Sequence, residues 1–173
     1  VHQVGFGNPE VIAAIKEQLA ELSFCPRRYT NWKAVELAKK LAELAPGTLN
    51  KVLLAPGGTS AIGMALKLAR IATGRHKTIS MWDSFHGASL DAISIGGEAV
   101  FRQNIGPLLP GTEHVPPPDE YHCIFGCFER GGCDMTCARY VDYIMEKEGD
   151  IAAVVAEPMR STPYVPKPEY WRI

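Results

Sequence analysis

The run Ile151-Ala152-Ala153-Val154-Val155-Ala156 constrains the fold more than any other stretch of this 173-residue chain. Six consecutive apolar residues leave no polar face, which is the pattern of a parallel strand buried on both sides. Parallel strands require long crossover connections, normally helical, and the sequence supplies them. Asn8-Pro9 sets a capping residue before a proline suited to the first helical position; Val11, Ile12, Ile15, Leu19 and Leu22 then recur at helical spacing and predict a helix over residues 9–22. Val35, Leu37, Leu41 and Leu44 predict a second over 32–44, ended by Pro46-Gly47. Lys51-Val52-Leu53-Leu54-Ala55 reads as a strand, Pro56-Gly57-Gly58 as a turn, and Ile62, Ala65, Leu66 and Ala69 as a helix ending near Thr73-Gly74. The unit recurs as a strand at 78–82, a turn at Ser84-Phe85-His86-Gly87 and a short helix at 89–95, followed by a short strand at 113–115. Pro116-Pro117-Pro118 opens an irregular excursion reaching Cys133, and a helix resumes near Asp134. The expected class is α/β, a mainly parallel sheet with flanking helices. Residues 1–45 read as a helical lead-in, and 46–173 as part of the sheet domain.

A hydrophobic content of 46% fills an ordinary soluble core. Eighteen basic against 19 acidic residues leave a net charge of −1, so no overall field draws in nucleic acid or an anionic membrane. No apolar run approaches the ~20 residues of a membrane-spanning helix, and the N-terminus lacks a signal-peptide pattern, so a cytoplasmic location is expected. Five cysteines, an odd number, argue against a disulfide framework. The sequence starts at Val1 rather than Met and stops at Ile173, where Pro168-Glu169-Tyr170-Trp171-Arg172 opens what reads as a helix; a piece of a longer protein is expected.

In an open α/β sheet, ligands sit outside the carboxyl ends of the strands, and three unusual stretches fall there. Gly57-Gly58-Thr59-Ser60 begins a helix, where the amides of Gly58, Thr59 and Ser60 and the helix dipole suit a phosphate; the plainer reading is a tight turn capped by Thr59 or Ser60. A P-loop lysine and a dinucleotide fingerprint are both missing. Phe85-His86 joins a flat ring to an imidazole, suited either to a planar heteroaromatic ligand or to packing. Glu157 follows six apolar residues, where a carboxylate meets a cation or ligand, or else a wet sheet edge. Cys123, Cys127, Cys133 and Cys137 have spacings looser than ordinary zinc knuckles, and read either as a four-cysteine zinc site of a non-catalytic module or as reduced loop thiols; no native metal is assigned.

These stretches resemble a known family. Gly57-Gly58-Thr59-Ser60-Ala61, with Lys67, Ala69 and Arg70 beyond it, resembles the S-G-[ST]-E-A block of class III, pyridoxal-phosphate-dependent aminotransferases. Ser84-Phe85-His86-Gly87 resembles their aromatic-His-Gly block, and Ala152 through Pro158 their A-A-v-i-x-E-P block. Val4-Gly5-Phe6-Gly7-Asn8-Pro9-Glu10-Val11 is similar to the L-G-H-x-h-P-x-V stretch. The resemblance implies a fold type I subunit, of which this chain is an N-proximal part, acting as a homodimer that moves an amino group from an amine or amino acid to a 2-oxo acid. It implies pyridoxal 5'-phosphate as cofactor, with Gly58, Thr59 and Ser60 at its phosphate, Phe85 stacked on its ring, His86 beside it and Glu157 on the substrate side. It also implies that the Schiff-base lysine and the aspartate on the pyridine nitrogen lie beyond Ile173, so that this stretch alone carries no catalytic residue and is inactive.

Two departures bear on the substrate. Ser60 stands where the family usually has glutamate, and Arg160 where E-P-x-Q often has glutamine. Arg160 suits a substrate carboxylate or phosphonate, or a surface or interface position. Relatives acting as lyases on phosphorylated or phosphonate amines, or as decarboxylating transaminases, are the alternative outcome.

Overall fold

A computed structural model describes residues 3–26, 28–160 and 165–173. The chain divides into two units, Val1–Leu54 and Ala55–Ile173. In the first, α1 (Pro9–Glu21) starts at Asn8, whose Oδ1 accepts from the amides of Glu10 and Val11 at 3.0 and 3.3 Å. In α2 (Trp32–Leu44), Asn31 Oδ1 accepts from the Ala34 amide at 2.9 Å. Both boundaries follow from side-chain oxygens satisfying orphan amides. The expected strand at 51–55 is not one: the segment has no ladder partner among the described residues. Its apolar composition suits a strand, but a strand exists only where a neighbour accepts its backbone bonds.

The second unit carries a three-stranded parallel sheet, with β1 (Lys77–Met81) flanked by β2 (Thr112–Val115) and β3 (Ile151–Val155). Helix α3 (Gly58–Thr73) precedes β1; α4 (Leu90–Ile95) and the single turn α5 (Ala99–Arg102), absent from the sequence reading, lie between β1 and β2, and α6 (Thr136–Glu148) lies between β2 and β3. The C-terminal helix expected from Pro168 is a single 3₁₀ stretch, Pro168–Arg172. Alternation along β1 divides its residues between two faces. Ile79 and Met81 join Val115, Ile151, Tyr170 and the α6 residues Cys137 and Ala138 in the main core. Thr78 and Ser80 are equally buried but carry hydroxyls.

β3 departs from the expectation of burial on both faces: Val154 is 42% exposed, whereas Ile151 is buried. The strand lies at the end of the described sheet, beside an apolar hollow of about 270 Å³ lined by Ile62, Ala65 and Leu66 of α3 and Ala153 to Ala156. An unbroken apolar strand reports the cover it requires, and the described residues supply only part of it.

Candidate functional site

Because β1 and β3 run parallel, with Ser80 opposite Val155, the loops leaving them emerge on one edge. Helix α3 begins at Gly58 with Gly57 as its cap, so Thr59 and Ser60 lie in the first turn; the reading in which either one caps the helix is thereby corrected. A glycine cap has no side chain to satisfy the amides of Gly58, Thr59 and Ser60, and a Cβ built on Gly57 or Gly58 meets nothing within 4 Å. The start of the helix is an open set of N–H donors at its positive end.

Gly87 brings the second turn onto the first. Its φ is +135°, and a Cβ there would stand 2.4 Å from Thr59 Oγ1 and 3.0 Å from Thr59 Cα, so only glycine allows this approach. One residue earlier, His86 Nε2 lies 3.2 Å from Ser80 Oγ, which in turn lies 3.3 Å from Ser84 Oγ. Burial lowers the proton affinity of His86, offset in part by the charge of Glu157, two residues beyond Val155, which pairs with Ser80 of β1. Phe85 packs against Phe101 with ring centroids 4.4 Å apart and remains 45% exposed.

Sequence reasoning missed a further element at this edge. Gly97 crosses the carboxyl end of β1 so closely that a Cβ would come within 2.2 Å of Met81 O and 2.5 Å of Trp82 Cα. The amides of Gly97 and Glu98 donate to Ser84 O at 2.9 and 3.0 Å. Glu98 is thereby fixed beside the His86 turn, and its Oε2 accepts from Arg160 Nη2 at 3.2 Å. The Arg160 side chain is 15% exposed and paired with Glu98. Nearby, Trp82 stacks on His114 with centroids 4.5 Å apart, the Arg102 guanidinium lies 5.4 Å from the centre of the Trp82 ring, and His114 Nε2 donates to Gly96 O at 3.0 Å. The polar alternation of Thr78 and Ser80 within an otherwise apolar strand was the available signal that one face of β1 serves hydroxyl chemistry.

Residues 1–171 match the family described as Aminotransferase class-III. The chain belongs to the class III aminotransferase family. It is 50% identical to the (R)-1-hydroxy-2-aminoethylphosphonate ammonia-lyase of Vibrio splendidus, covering 99% of this chain and 39% of that protein. It is 41% identical to the acetylornithine aminotransferase of Methanopyrus kandleri over 69% of this chain and 31% of that protein. Among solved structures it superposes with a TM-score of 0.85 and 29% identity on an amine transaminase from an uncultivated Pseudomonas species in its PLP-bound form, covering 98% of this chain and 41% of that one. The chain thus spans about two fifths of the length of the relatives it matches, and the parallel sheet with flanking helices is the fold type I arrangement that the class III resemblance implied.

Four of the cysteines of this class III chain fall within residues 123–137. Cys123, Cys133 and Cys137 line a cavity of about 230 Å³ together with Lys167, Tyr170 and Asp119. Burial, with the neighbouring thiols, pushes the Cys137 thiol up to about 11. For Cys123 burial acts the same way but is outweighed by hydrogen bonds from the Cys127 amide and thiol and the Phe125 amide, which lower its value. All five cysteines are free thiols, and among the described residues no three His, Cys, Asp or Glu side chains converge as metal ligands.

Proposed function

We propose that the protein carrying this chain binds pyridoxal 5'-phosphate and acts at the amino group of a small amine bearing an anionic head group. The observation that carries this reading is the meeting of the open α3 start, the Phe85-His86 turn and Glu157 at one sheet edge. A phosphate monoester fits the donors of Gly58, Thr59 and Ser60, which are uncapped, spatially open and at the positive end of a 16-residue helix. When bound, the cofactor supplies an electron sink for negative charge developing on the substrate. Phe85 offers an exposed ring for stacking, His86 a largely neutral imidazole, and Glu157 a carboxylate on the substrate side. Covalent attachment of the cofactor and the pairing of its ring nitrogen are assigned to residues outside 1–173, so residues 1–173 alone are expected to be inactive. The protein is taken to act as a cytoplasmic homodimer, a reading that the free thiols suit.

Two outcomes follow from the same residues. Amino transfer to a 2-oxo acid is the activity after which the family is named. Ammonia elimination from a phosphonate-bearing amine is favoured by two specific observations: the 50% identity to a protein of that description, and Arg160, a mostly buried guanidinium held beside the His86 turn by Glu98. A planar fork of N–H donors suits a phosphonate better than the glutamine amide that the family often carries there.

The full-length protein, mixed with pyridoxal phosphate, is expected to show a borohydride-sensitive visible band. Incubated with 1-hydroxy-2-aminoethylphosphonate, it is expected to release ammonia without any 2-oxo acid. Formation of alanine from pyruvate with no free ammonia would assign amino transfer instead. A folded protein with no cofactor band would retire the whole reading.

A further inference from the structure

The hydroxyls of Ser80 and Ser84 form a chain of polar contacts that reaches the His86 ring. A carbonyl oxygen only accepts, so Ser84 Oγ–H donates to Met81 O at 2.6 Å. That uses the single Ser84 proton, and the Ser84 oxygen accepts from the Gly97 amide at 3.2 Å. The 3.3 Å contact between Ser84 and Ser80 then takes its proton from Ser80. With that proton spent, the 3.2 Å contact between Ser80 Oγ and His86 Nε2 takes its proton from the ring. One direction satisfies every contact: His86 Nε2–H to Ser80, Ser80 O–H to Ser84, Ser84 O–H to the Met81 carbonyl. The reverse assignment at Ser80 sets two protonless hydroxyl lone pairs against each other and forfeits one hydrogen bond in a fully buried place.

We propose that Ser80 and Ser84 are positioning residues that hold His86 as its Nε2–H tautomer, leaving Nδ1 as the acceptor that His86 offers to an N–H or O–H group of the bound ligand. The first half rests on the hydroxyl geometry alone. The ligand-binding half rests on the reading of this edge as the cofactor and substrate site. The alternation along β1 marks its hydroxyl face but not this partner: Ser80 owes its contact with the turn to the parity of β1 and to Ser84 folding back over the strand end.

The test is the ¹⁵N spectrum of histidine-labelled full-length protein above pH 7, with the His86 signals identified by their loss in His86→Gln. Protonated Nε2 and unprotonated Nδ1 are expected in both the cofactor-free and cofactor-loaded protein; protonated Nδ1 in the cofactor-free protein overturns the proposal without touching the cofactor assignment, which the visible band tests separately. Ser80→Ala is expected to reduce the tautomer preference about fivefold, the worth of one hydrogen bond, and Ser80→Thr to retain it. Ser84→Ala, which frees the Ser80 proton to turn toward the ring, is expected to do likewise; an unchanged preference in both alanine variants overturns the relay. Adding 2-aminoethylphosphonate to the loaded protein is expected to move the Nδ1 resonance, and kcat in Ser80→Ala to fall with KM little changed. A stationary Nδ1 signal with ligand demonstrably bound overturns the acceptor role.

Discussion

Replacing Gly97 with alanine tests whether the Gly96 to Glu98 segment is truly pressed against the end of β1. The added Cβ would lie 2.2 Å from Met81 O, 2.5 Å from Trp82 Cα and 2.9 Å from Asp83 N, all backbone atoms that cannot rotate away. At the nearest of these it falls about 1 Å short of van der Waals contact, so the crossing segment must lift by a similar amount. Lifting strains the amide bonds of Gly97 and Glu98 to Ser84 O, now 2.9 and 3.0 Å. Two hydrogen bonds worth about 1 kcal/mol each and an overpacking cost of about 1–3 kcal/mol give an expected loss of about 3–5 kcal/mol. Gly96→Ala is the internal control. Its backbone is extended (φ −65°, ψ 145°), its Cβ would find nothing closer than Ser84 O at 3.3 Å, and a change within about 1 kcal/mol is expected. Urea unfolding of the two variants and the parent in the full-length, cofactor-free protein reads the difference directly. A Gly97→Ala midpoint matching that of Gly96→Ala, at equal slope, would show that this crossing is not pinned and would remove the reason given for the placement of Glu98.

Two further outcomes are expected. Burial is the largest cause lowering both His86 and His114 below the ordinary 6.5, so below that pH the unfolded chain takes up protons that the native chain refuses. The resulting stability is full above pH 6.5 and lost as pH falls toward the folded values. Stability of the full-length protein should therefore decline as pH falls through 6.5, less steeply in a His86→Gln, His114→Gln double variant; identical slopes would contradict the burial argument. Among the loop thiols, iodoacetamide should modify Cys123 first and the buried Cys127 and Cys137 last, as read by peptide mass spectrometry, because the thiolate is the attacking form. Equal rates at Cys123 and Cys137 would count against the hydrogen-bonded acidity of Cys123.

The sequence by itself determined what depends on neighbours along the chain. The caps at Asn8 and Asn31, the helices that follow them, and β1 and β3 are local consequences of side-chain oxygens, proline and apolar period. The stretches after β1 and β3 were legible for the same reason, since a parallel strand commits its loop to its carboxyl end; the α3 start follows no strand and is brought to the Phe85-His86 turn by the close approach of Gly87 to Thr59. Tertiary structure decided everything that needs two distant segments at once. Residues 51–55 have the composition of a strand and no ladder partner among the described residues, because pairing belongs to the neighbour as much as to the segment. The partner of Arg160 was not legible either: Glu98, 62 positions earlier, is brought against it by a glycine passing over a strand end. The proton on His86 is fixed by a carbonyl reached only through two folded hydroxyls, a chain of acceptors that sequence order does not reveal because hydrogen bonds form across space.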